Sequence, residues 1–340
     1  MKFQVGYQDN RRLVEFLLTH REKVSEVYFP WGDFTTGRGV IQNEAFREHL
    51  IADLQSFAAH NIPLTLLLNG NCYGHRALAR SFYQKLGDTV DFLQETYGIT
   101  GVTTASPLIA RFLKTNFPQL EIRASVNMEI GTTEGVEYIE DYFDSFYLKR
   151  EFNYDKNIIL RMRDFCHANG KKLYLLANSG CLNFCSARTF HDNLVAHQHE
   201  VAEMDNAFEF HGECTTFLKK GDHLQELLSK SNFIRPEDVH LYEELCDGMK
   251  LATRTNFNPL AVVTAYFTNR WHGNLLDLTE PAHSKLLHPA IIDNSRIPAD
   301  YADHRMSCSH DCHVCGYCRS VQQKATVVLD ERCVSNEDSL

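Results

Sequence analysis

Short β-type runs alternate with amphipathic helical stretches through the first 280 residues, and this order restricts the chain to a few architectures. The eight runs lie at residues 2–8, 24–30, 63–69, 101–106, 121–127, 145–150, 171–178 and 248–254. Strands separated by helices pair in parallel through crossover units. Eight units predict an α/β fold of the closed (β/α)8 TIM type, and an open doubly wound sheet is the alternative. The barrel is favoured because no glycine-rich phosphate loop follows the first run.

The alternation changes at two places, and these divide the chain. Residues 1–280 are predicted to form the barrel, with residues 181–247 as a long insertion before its last strand. Connections of that length inside a compact domain usually serve a function. Residues 281–340 lose the alternation and are predicted to be an appended, cysteine-rich, metal-binding extension.

Composition limits the partners and the compartment of the protein. Its 340 residues carry 34 basic and 44 acidic side chains, a formal net charge of −10. Binding to a nucleic-acid backbone needs clustered Lys and Arg, so this balance disfavours a nucleic-acid partner. No segment approaches the roughly 18 apolar residues of a membrane span, and the first residues lack the apolar run of an export signal. The sequence therefore predicts a cytoplasmic protein that acts on a small molecule or a peptide.

Eleven cysteines without an export signal indicate reduced thiolate ligands rather than a disulfide framework. Cys181 and Cys185 follow the seventh run in a loop opened by a serine and a glycine, whose backbone amides can stabilise cluster sulfides. Together with Cys214 and Cys72, they are predicted to hold a 4Fe–4S cluster at the mouth of the barrel. The alternative for each is a buried free thiol, and it is strongest for Cys72, which stands alone after an apolar run.

A second set of thiols lies in the C-terminal extension. Cys308, Cys312, Cys315 and Cys318 have the spacing C-x3-C-x2-C-x2-C. Compact runs of this kind surround cubane clusters, so a second 4Fe–4S cluster is predicted, with a four-thiolate zinc site as the alternative. The first three thiols also match the spacing of radical S-adenosylmethionine enzymes. Their position after the barrel and the nearby fourth thiol argue against that interpretation.

Polar side chains at the ends of the predicted strands are the candidates for catalysis, because active sites of such barrels gather at that end. Asp33 and Glu151 are candidate general acids and bases, with a salt-bridged structural role as the alternative. Arg150 and Arg254 suit a carboxylate-bearing substrate through paired hydrogen bonds. Three histidines of the insertion fit a solvated helical stretch better than a metal site: His191, His197 and His199.

Taken together, these features resemble the U-32 collagenase-like peptidase family. The resemblance covers roughly residues 1–280 and rests on the opening MKFQVGYQDN, the loop NSGCLNFCSARTFHDN and the segment SNFIRPEDVHLYEELCDGMKLATR. Several members of this family look like iron–sulfur proteins of oxygen-independent hydroxylation, in anaerobic ubiquinone synthesis and in the modification of RNA bases. By position, Cys181, Cys185 and Cys214 match the later ligands of the family's four-cysteine cluster, and Cys72 takes the early place.

The resemblance implies an iron–sulfur enzyme for oxygen-independent hydroxylation or related redox chemistry on a small molecule, a peptide or a nucleobase. Two alternatives stay open, a collagenase-like peptidase and a non-catalytic electron-transfer or scaffold protein. The chain lacks the H-E-x-x-H and G-x-S-x-G motifs, so a peptidase would need a cysteine or another kind of metal site. An electron donor or a homologous protein is the macromolecular partner to expect.

Overall fold

Eight parallel strands close into a barrel, which confirms the (β/α)8 prediction. The computed structural model describes residues 1–40 and 43–329; residues 330–340, the end of the predicted extension, lie outside the described part. Each barrel strand pairs with the next in chain order, and the last pairs with the first. The strands are β1 (Phe3–Gly6), β2 (Val24–Phe29), β3 (Leu64–Leu68), β4 (Gly101–Thr104), β5 (Glu121–Ala124), β6 (Ser145–Tyr147), β7 (Lys172–Leu176) and β8 (Gly248–Leu251).

The helices of the described residues surround the barrel and continue through the insertion and the extension. None of those described is long and apolar enough to cross a membrane. They are α1 (Arg11–Thr19), α2 (Glu44–Ala59), α3 (Arg80–Tyr97), α4 (Pro107–Asn116), α5 (Thr133–Glu137), α6 (Lys156–Ala168), α7 (Arg188–Ala196), α8 (Gln198–Ala202), α9 (Glu213–Leu218), α10 (Leu227–Lys230), α11 (Pro259–Thr268), α12 (Ser284–Leu287), α13 (Tyr301–Met306) and α14 (Tyr317–Ala325).

Helix α4 shows how the local sequence sets these boundaries. The Ser106 hydroxyl accepts a hydrogen bond from the Ile109 N–H at 3.3 Å, and Pro107 takes the first helical position, where no hydrogen bond is lost. Ile109, Ala110 and Leu113 are buried at helical spacing, and the helix contacts β4 and β5. Asparagine or aspartate side chains cap α1, α2, α6 and α11 in the same way.

The interior of the barrel carries a buried ionic cluster. Arg123 on β5 donates to Glu26 on β2 and, at 2.6 Å, to Glu121, while Glu26 also accepts from the Thr65 hydroxyl at 2.8 Å. The Arg123 and Glu26 side chains are only 4% and 8% exposed. Burial alone would lower the pKa of Arg123, but the Glu26 carboxylate outweighs burial and raises it well above its usual value. Arg123 is therefore charged, and its carboxylate partners compensate that charge.

Asn178 ties the end of β7 to neighbouring segments. Its side-chain amide donates to the carbonyls of Ala252 and Leu278, each at 2.8 Å, and its side-chain oxygen accepts from the Ala252 N–H at 2.6 Å. Backbone hydrogen bonds from Glu280 to Asn178 and from Gly180 to Glu280 extend this contact. The loop after β7 therefore starts from a fixed position beside the end of β8.

The insertion and the C-terminal extension pack against each other. Gln322 of α14 donates to the Leu224 carbonyl at 2.6 Å and accepts from the Leu228 N–H at 2.9 Å. Within the extension, β9 (Ala290–Ile292) pairs with β10 (Thr326–Val328) in an antiparallel two-stranded sheet. The division of the chain at residue 280 stays a prediction.

Replacing Arg123 with Met should lower the free energy of unfolding by about 3–5 kcal/mol, because the buried Glu26 carboxylate then loses its cation. Urea unfolding followed by circular dichroism measures this change. The control is Lys172→Met, which removes an ion pair to Glu121 from an exposed position and should change stability by less than about 1 kcal/mol. Equal losses in the two variants would contradict the central role of Arg123.

Candidate functional site

A small pocket opens at the carboxyl ends of the barrel strands, the end where active sites of this fold gather. Its volume of about 60 Å³ accommodates the head of a ligand rather than a large molecule. The charged side chains in its lining are Arg38, Arg150, Lys250, Arg254 and Glu280. Four basic groups thus face one carboxylate, and the pocket is suited to an anion.

Glu280 compensates one of the four basic groups. The Arg38 guanidinium donates to Glu280 Oε1 from Nε at 3.0 Å and from Nη2 at 2.6 Å, and the Thr255 N–H donates to Glu280 Oε2 at 3.1 Å. Burial alone would raise the pKa of Glu280, but Arg38 outweighs burial and lowers it, so this pair is ionised. In the described residues, no ion pair reaches the three other basic groups of the pocket.

Arg254 offers an unused hydrogen-bond donor to the pocket. Its Nη2 donates to Thr36 Oγ1 at 3.1 Å, whereas its buried Nε has no partner in the described part of the chain. Burial lowers the pKa of Arg254 to about 10, so the guanidinium is still charged at neutral pH. An unpaired buried donor is unfavourable, and a bound carboxylate would satisfy it.

Arg150 connects the pocket with a thiol. Its buried side chain donates to Asn127 Oδ1 at 3.4 Å, a long contact, and to Cys181 Sγ at 3.5 Å, within the longer range of hydrogen bonds to sulfur. Burial alone would raise the pKa of Cys181, but Arg150, Arg188 and Arg38 outweigh burial and lower it. The arginines around this thiol therefore increase the share of its thiolate form, which is the nucleophilic and metal-binding form.

Cys185 and Cys214 lie near Cys181. The pKa of Cys214 is raised first by burial and then by the charges of Cys181 and Cys185, which places the three thiols within electrostatic reach. Arg188 stands beside them and donates to Glu151 Oε1 at 3.5 Å, while its buried Nη1 has no partner in the described residues. The structure thus brings three of the four predicted barrel ligands into one region.

The thiols and arginines of this region are the types of group that bind and stabilise an iron–sulfur cluster. Thiolates are the usual cluster ligands, and nearby cations and unpaired N–H groups stabilise the negative charge of a cluster. Within residues 1–40 and 43–329, no three Cys, His, Asp or Glu side chains are arranged as a metal site. The barrel cluster therefore stays a prediction that rests on the chemistry of its donors.

Cys72, the fourth predicted ligand, contacts a histidine of the insertion. A hydrogen bond to His197 and a 3.4 Å hydrogen bond from the Gly74 N–H lower the pKa of Cys72. His197 donates from Nδ1 to Glu200 Oε2 at 2.8 Å, and Cys72 and Glu200 raise its pKa. A thiol, an imidazole and a carboxylate in series are the arrangement that activates a cysteine nucleophile. The His-x-x-Glu spacing was the only sequence signal for this contact.

The two carboxylates predicted for acid–base chemistry are outside the pocket lining. Asp33 accepts from Lys85 Nζ at 2.6 and 2.7 Å in a separate groove beside α2 and α3. Glu151 is buried and accepts from the Phe184 N–H at 3.2 Å and from Arg188, so it supports the loop that carries Cys181. Their catalytic roles stay predictions, whereas Arg150 and Arg254 line the pocket together.

The four C-terminal thiols lie between α13 and α14 and at the start of α14. Cys308 Sγ is 3.6 Å from His310 Nδ1, and Cys312 and Cys315 are exposed. The pKa of Cys318 is raised by burial and, more weakly, by the charges of Cys312 and Cys308. A second centre at these thiols, iron–sulfur or zinc, also stays a prediction.

Known proteins share the fold and much of the length of this chain. No protein-family model matches it. The uncharacterized protease MJ1657 of Methanocaldococcus jannaschii is 27% identical over 312 residues, which cover 89% of each chain. The solved structure of the U32 peptidase Mk0906 has a TM-score of 0.55 at 16% identity and covers 74% of this chain and 91% of that one. The first match is a protein named as a protease, and the second shows that the chain shares its barrel fold with a U32 peptidase.

The U32 name of the solved structure agrees with the resemblance seen in the sequence. The likeness to the solved U32 peptidase concerns the barrel fold, since the two chains share few identical residues. Both relatives have the names of proteases or peptidases, and these names agree with an enzyme. They do not decide between hydrolysis and redox chemistry for this protein.

Iodoacetamide should alkylate Cys72 at neutral pH at least about tenfold faster than Cys166, because Cys72 is partly exposed, Cys166 is buried, and alkylation requires the thiolate. His197 lowers the pKa of Cys72, whereas burial raises that of Cys166 to about 12. Replacing His197 with Gln should slow the labelling of Cys72 and shift its pH profile to higher pH. Peptide mass spectrometry after timed labelling measures both rates, and an unchanged profile in His197→Gln would disprove the contact.

Proposed function

We propose that this protein belongs to the U32 peptidase family and is an iron–sulfur enzyme that carries out oxygen-independent hydroxylation or a related redox reaction on a carboxylate-bearing small molecule. The single observation that supports the proposal most is the position of Arg150. Its guanidinium lines the anion pocket and also contacts the Cys181 thiol. A substrate bound through its carboxylate would therefore lie beside the predicted cluster ligands.

Arg150 and Arg254 are the groups that would bind the carboxylate. Arg150 makes one hydrogen bond from each of its two terminal nitrogens, which carry two N–H groups each, and the Arg254 Nε has no partner in the described residues. Both arginines therefore have donors to offer. Charge-assisted hydrogen bonds of guanidinium to carboxylate are among the stronger polar contacts, and the buried setting strengthens them. Arg38 is held by Glu280 and would form the wall of the pocket rather than its anion ligand.

Cys181, Cys185 and Cys214 would hold the barrel cluster, with Cys72 as the predicted fourth ligand. A bound 4Fe–4S cluster would supply one-electron transfer next to the substrate. Around it, Arg188 and Arg150 would stabilise the thiolates, and Glu151 would keep the loop in place through Phe184 N–H. The C-terminal thiols would hold a second centre, which is suited to relaying electrons from a donor protein.

Anaerobically purified protein should contain about four or eight irons and matching acid-labile sulfide per chain, for one or two cubane clusters. The Cys181→Ala, Cys185→Ala double variant should lose the barrel cluster, and Cys315→Ala should lose only the second centre. The control is Cys166→Ala, which removes a buried thiol of α6 that lies outside both sets. Full iron in the double variant would refute the ligand assignment. Zinc that is found in the parent protein and lost in Cys315→Ala would show that the second centre is a zinc site.

A short carboxylate such as pyruvate should bind to the pocket, and Arg254→Gln should weaken that binding about tenfold, because a charge-assisted hydrogen bond is lost. Ligand-observed NMR titration measures both affinities. Arg111→Gln, which changes an exposed arginine of α4, is the control and should bind pyruvate as the parent protein does. Equal affinities in the two variants would argue against a carboxylate site at the mouth.

Peptidase activity is a second candidate function, and one observation favours it. Cys72, His197 and Glu200 stand in the order of nucleophile, base and orienting carboxylate. They belong to a loop and to the insertion, apart from the 60 Å³ pocket, so a peptide chain could reach them. The names of both relatives fit this function.

The two functions depend on different thiols. Peptide hydrolysis that disappears in Cys72→Ala and persists in the Cys181→Ala, Cys185→Ala variant would favour the peptidase. Redox activity that requires Cys181 would favour the first proposal. Iron content of Cys72→Ala separates the two roles of this residue, because a cluster ligand is needed for iron and a nucleophile is not.

A further inference from the structure

Lys250 lies inside the barrel at the floor of the mouth pocket, and its side chain is nearly buried. Its Nζ is 4.1 Å from the ring centroid of Tyr28 and 5.2 Å from that of Tyr147. Both phenols have other partners, since Tyr28 donates to the Leu251 carbonyl at 2.6 Å and Tyr147 donates to Gln4 Oε1. The amine of Lys250 therefore contacts two aromatic rings and also lines the pocket.

In the described chain, no carboxylate pairs with the Lys250 amine. Two partly buried lysines of this protein have such partners, Lys114 with Asp144 and Lys149 with Glu129. The acidic group that acts on Lys250, Glu26, is held by Arg123 and by the Thr65 hydroxyl. A purely structural lysine in this position would leave its charge uncompensated.

The charges around Lys250 also favour a neutral amine. Burial is the main cause that lowers the pKa of Lys250 to about 7. Glu26 opposes this shift, while Arg254, Arg123 and Arg38 add to it. The tyrosine faces favour the ammonium form through cation–π attraction, yet they supply no hydrogen-bond acceptor. A large share of the protein at neutral pH therefore has a nucleophilic amine at the pocket floor.

We propose that Lys250 is a catalytic nucleophile that forms an imine with the carbonyl carbon of a small oxo carboxylate bound at the barrel mouth. The inference rests on the carboxylate site proposed above and narrows its substrate class. Arg150 and Arg254 would hold the carboxylate, and the small volume of the pocket would direct the adjacent carbonyl toward Nζ. A carboxylate that lacks a neighbouring keto or aldehyde group would bind but would not react.

The reaction needs no further co-reactant. The lone pair of the neutral Nζ attacks the carbonyl carbon, and one N–H proton moves to the oxygen, which gives a carbinolamine. The C–O bond then breaks, and the oxygen leaves as water with the second N–H proton. The products are a C=N bond to Lys250 and one water molecule, with no change in oxidation state. The imine would withdraw electrons from the neighbouring carbon and so activate the bound substrate.

The test is reductive trapping with pyruvate and sodium borohydride on the complete protein. Hydride reduces the imine to a stable secondary amine, and peptide mass spectrometry locates the added mass. The expected result is modification of Lys250 and not of Lys149. Lys149 directly precedes Arg150 in the sequence and has a carboxylate partner, Glu129. Acetone, which has the carbonyl but no carboxylate, should give at least about tenfold less adduct at equal concentration.

Lys250→Met is the matched variant, because it keeps the length and apolar stem of the side chain without the amine. It should give no trapped adduct, yet still bind pyruvate in the NMR titration and retain its iron. Arg254→Gln should give the adduct only at about tenfold higher pyruvate. Trapping in the parent protein should increase as the pH rises through about 7, since only the neutral amine reacts.

Two results would overturn the inference, and they are distinguishable. Pyruvate that binds to the parent protein without trapping at Lys250 would disprove the nucleophile and leave the carboxylate site intact. Neither binding nor trapping would disprove the carboxylate site as well. An equal amount of adduct in Lys250→Met would assign the reaction to other lysines and would also overturn the inference.

Discussion

The buried Arg123 of β5, which pairs with Glu26 of β2, is the constraint on which much of the structure depends. A guanidinium with almost no access to solvent needs anionic partners, and Glu26 and Glu121 supply them. Because Glu26 is occupied by Arg123, the neighbouring Lys250 has no carboxylate of its own in the described chain. The positive charge of Arg123 is thus balanced by carboxylates inside the barrel, whereas the basic side chains at the open end outnumber the carboxylates there.

The mouth of the barrel follows from this distribution. Arg38 is paired with Glu280, while Arg150 and Arg254 have donors that the protein itself does not use fully. Arg150 also faces Cys181, so that one cation serves both the anion pocket and the thiolate. Substrate recognition and thiol chemistry would therefore share a single electrostatic environment, which is why the proposed redox reaction is placed at this end of the molecule.

The sequence predicts the architecture well, because strand and helix periods are local properties. All eight runs became barrel strands, and Arg150 and Arg254 were found at the correct end. Contacts between side chains that are far apart in the sequence depend on the complete fold, so the sequence alone does not predict them. Asp33 was expected at the site but pairs with Lys85 of α3, and the contact of Cys72 with His197 depends on how the insertion folds back.

Asn178 has a mechanical consequence. Its amide group joins the start of the Cys181 loop to Ala252, two residues before Arg254, and its backbone carbonyl accepts from the N–H of Glu280. A displacement of the loop would thus be transmitted to Arg254, the proposed anion ligand, and to Glu280, which pairs with Arg38. Through this short piece of backbone, the position of the cysteine loop and the occupancy of the pocket would be mechanically linked.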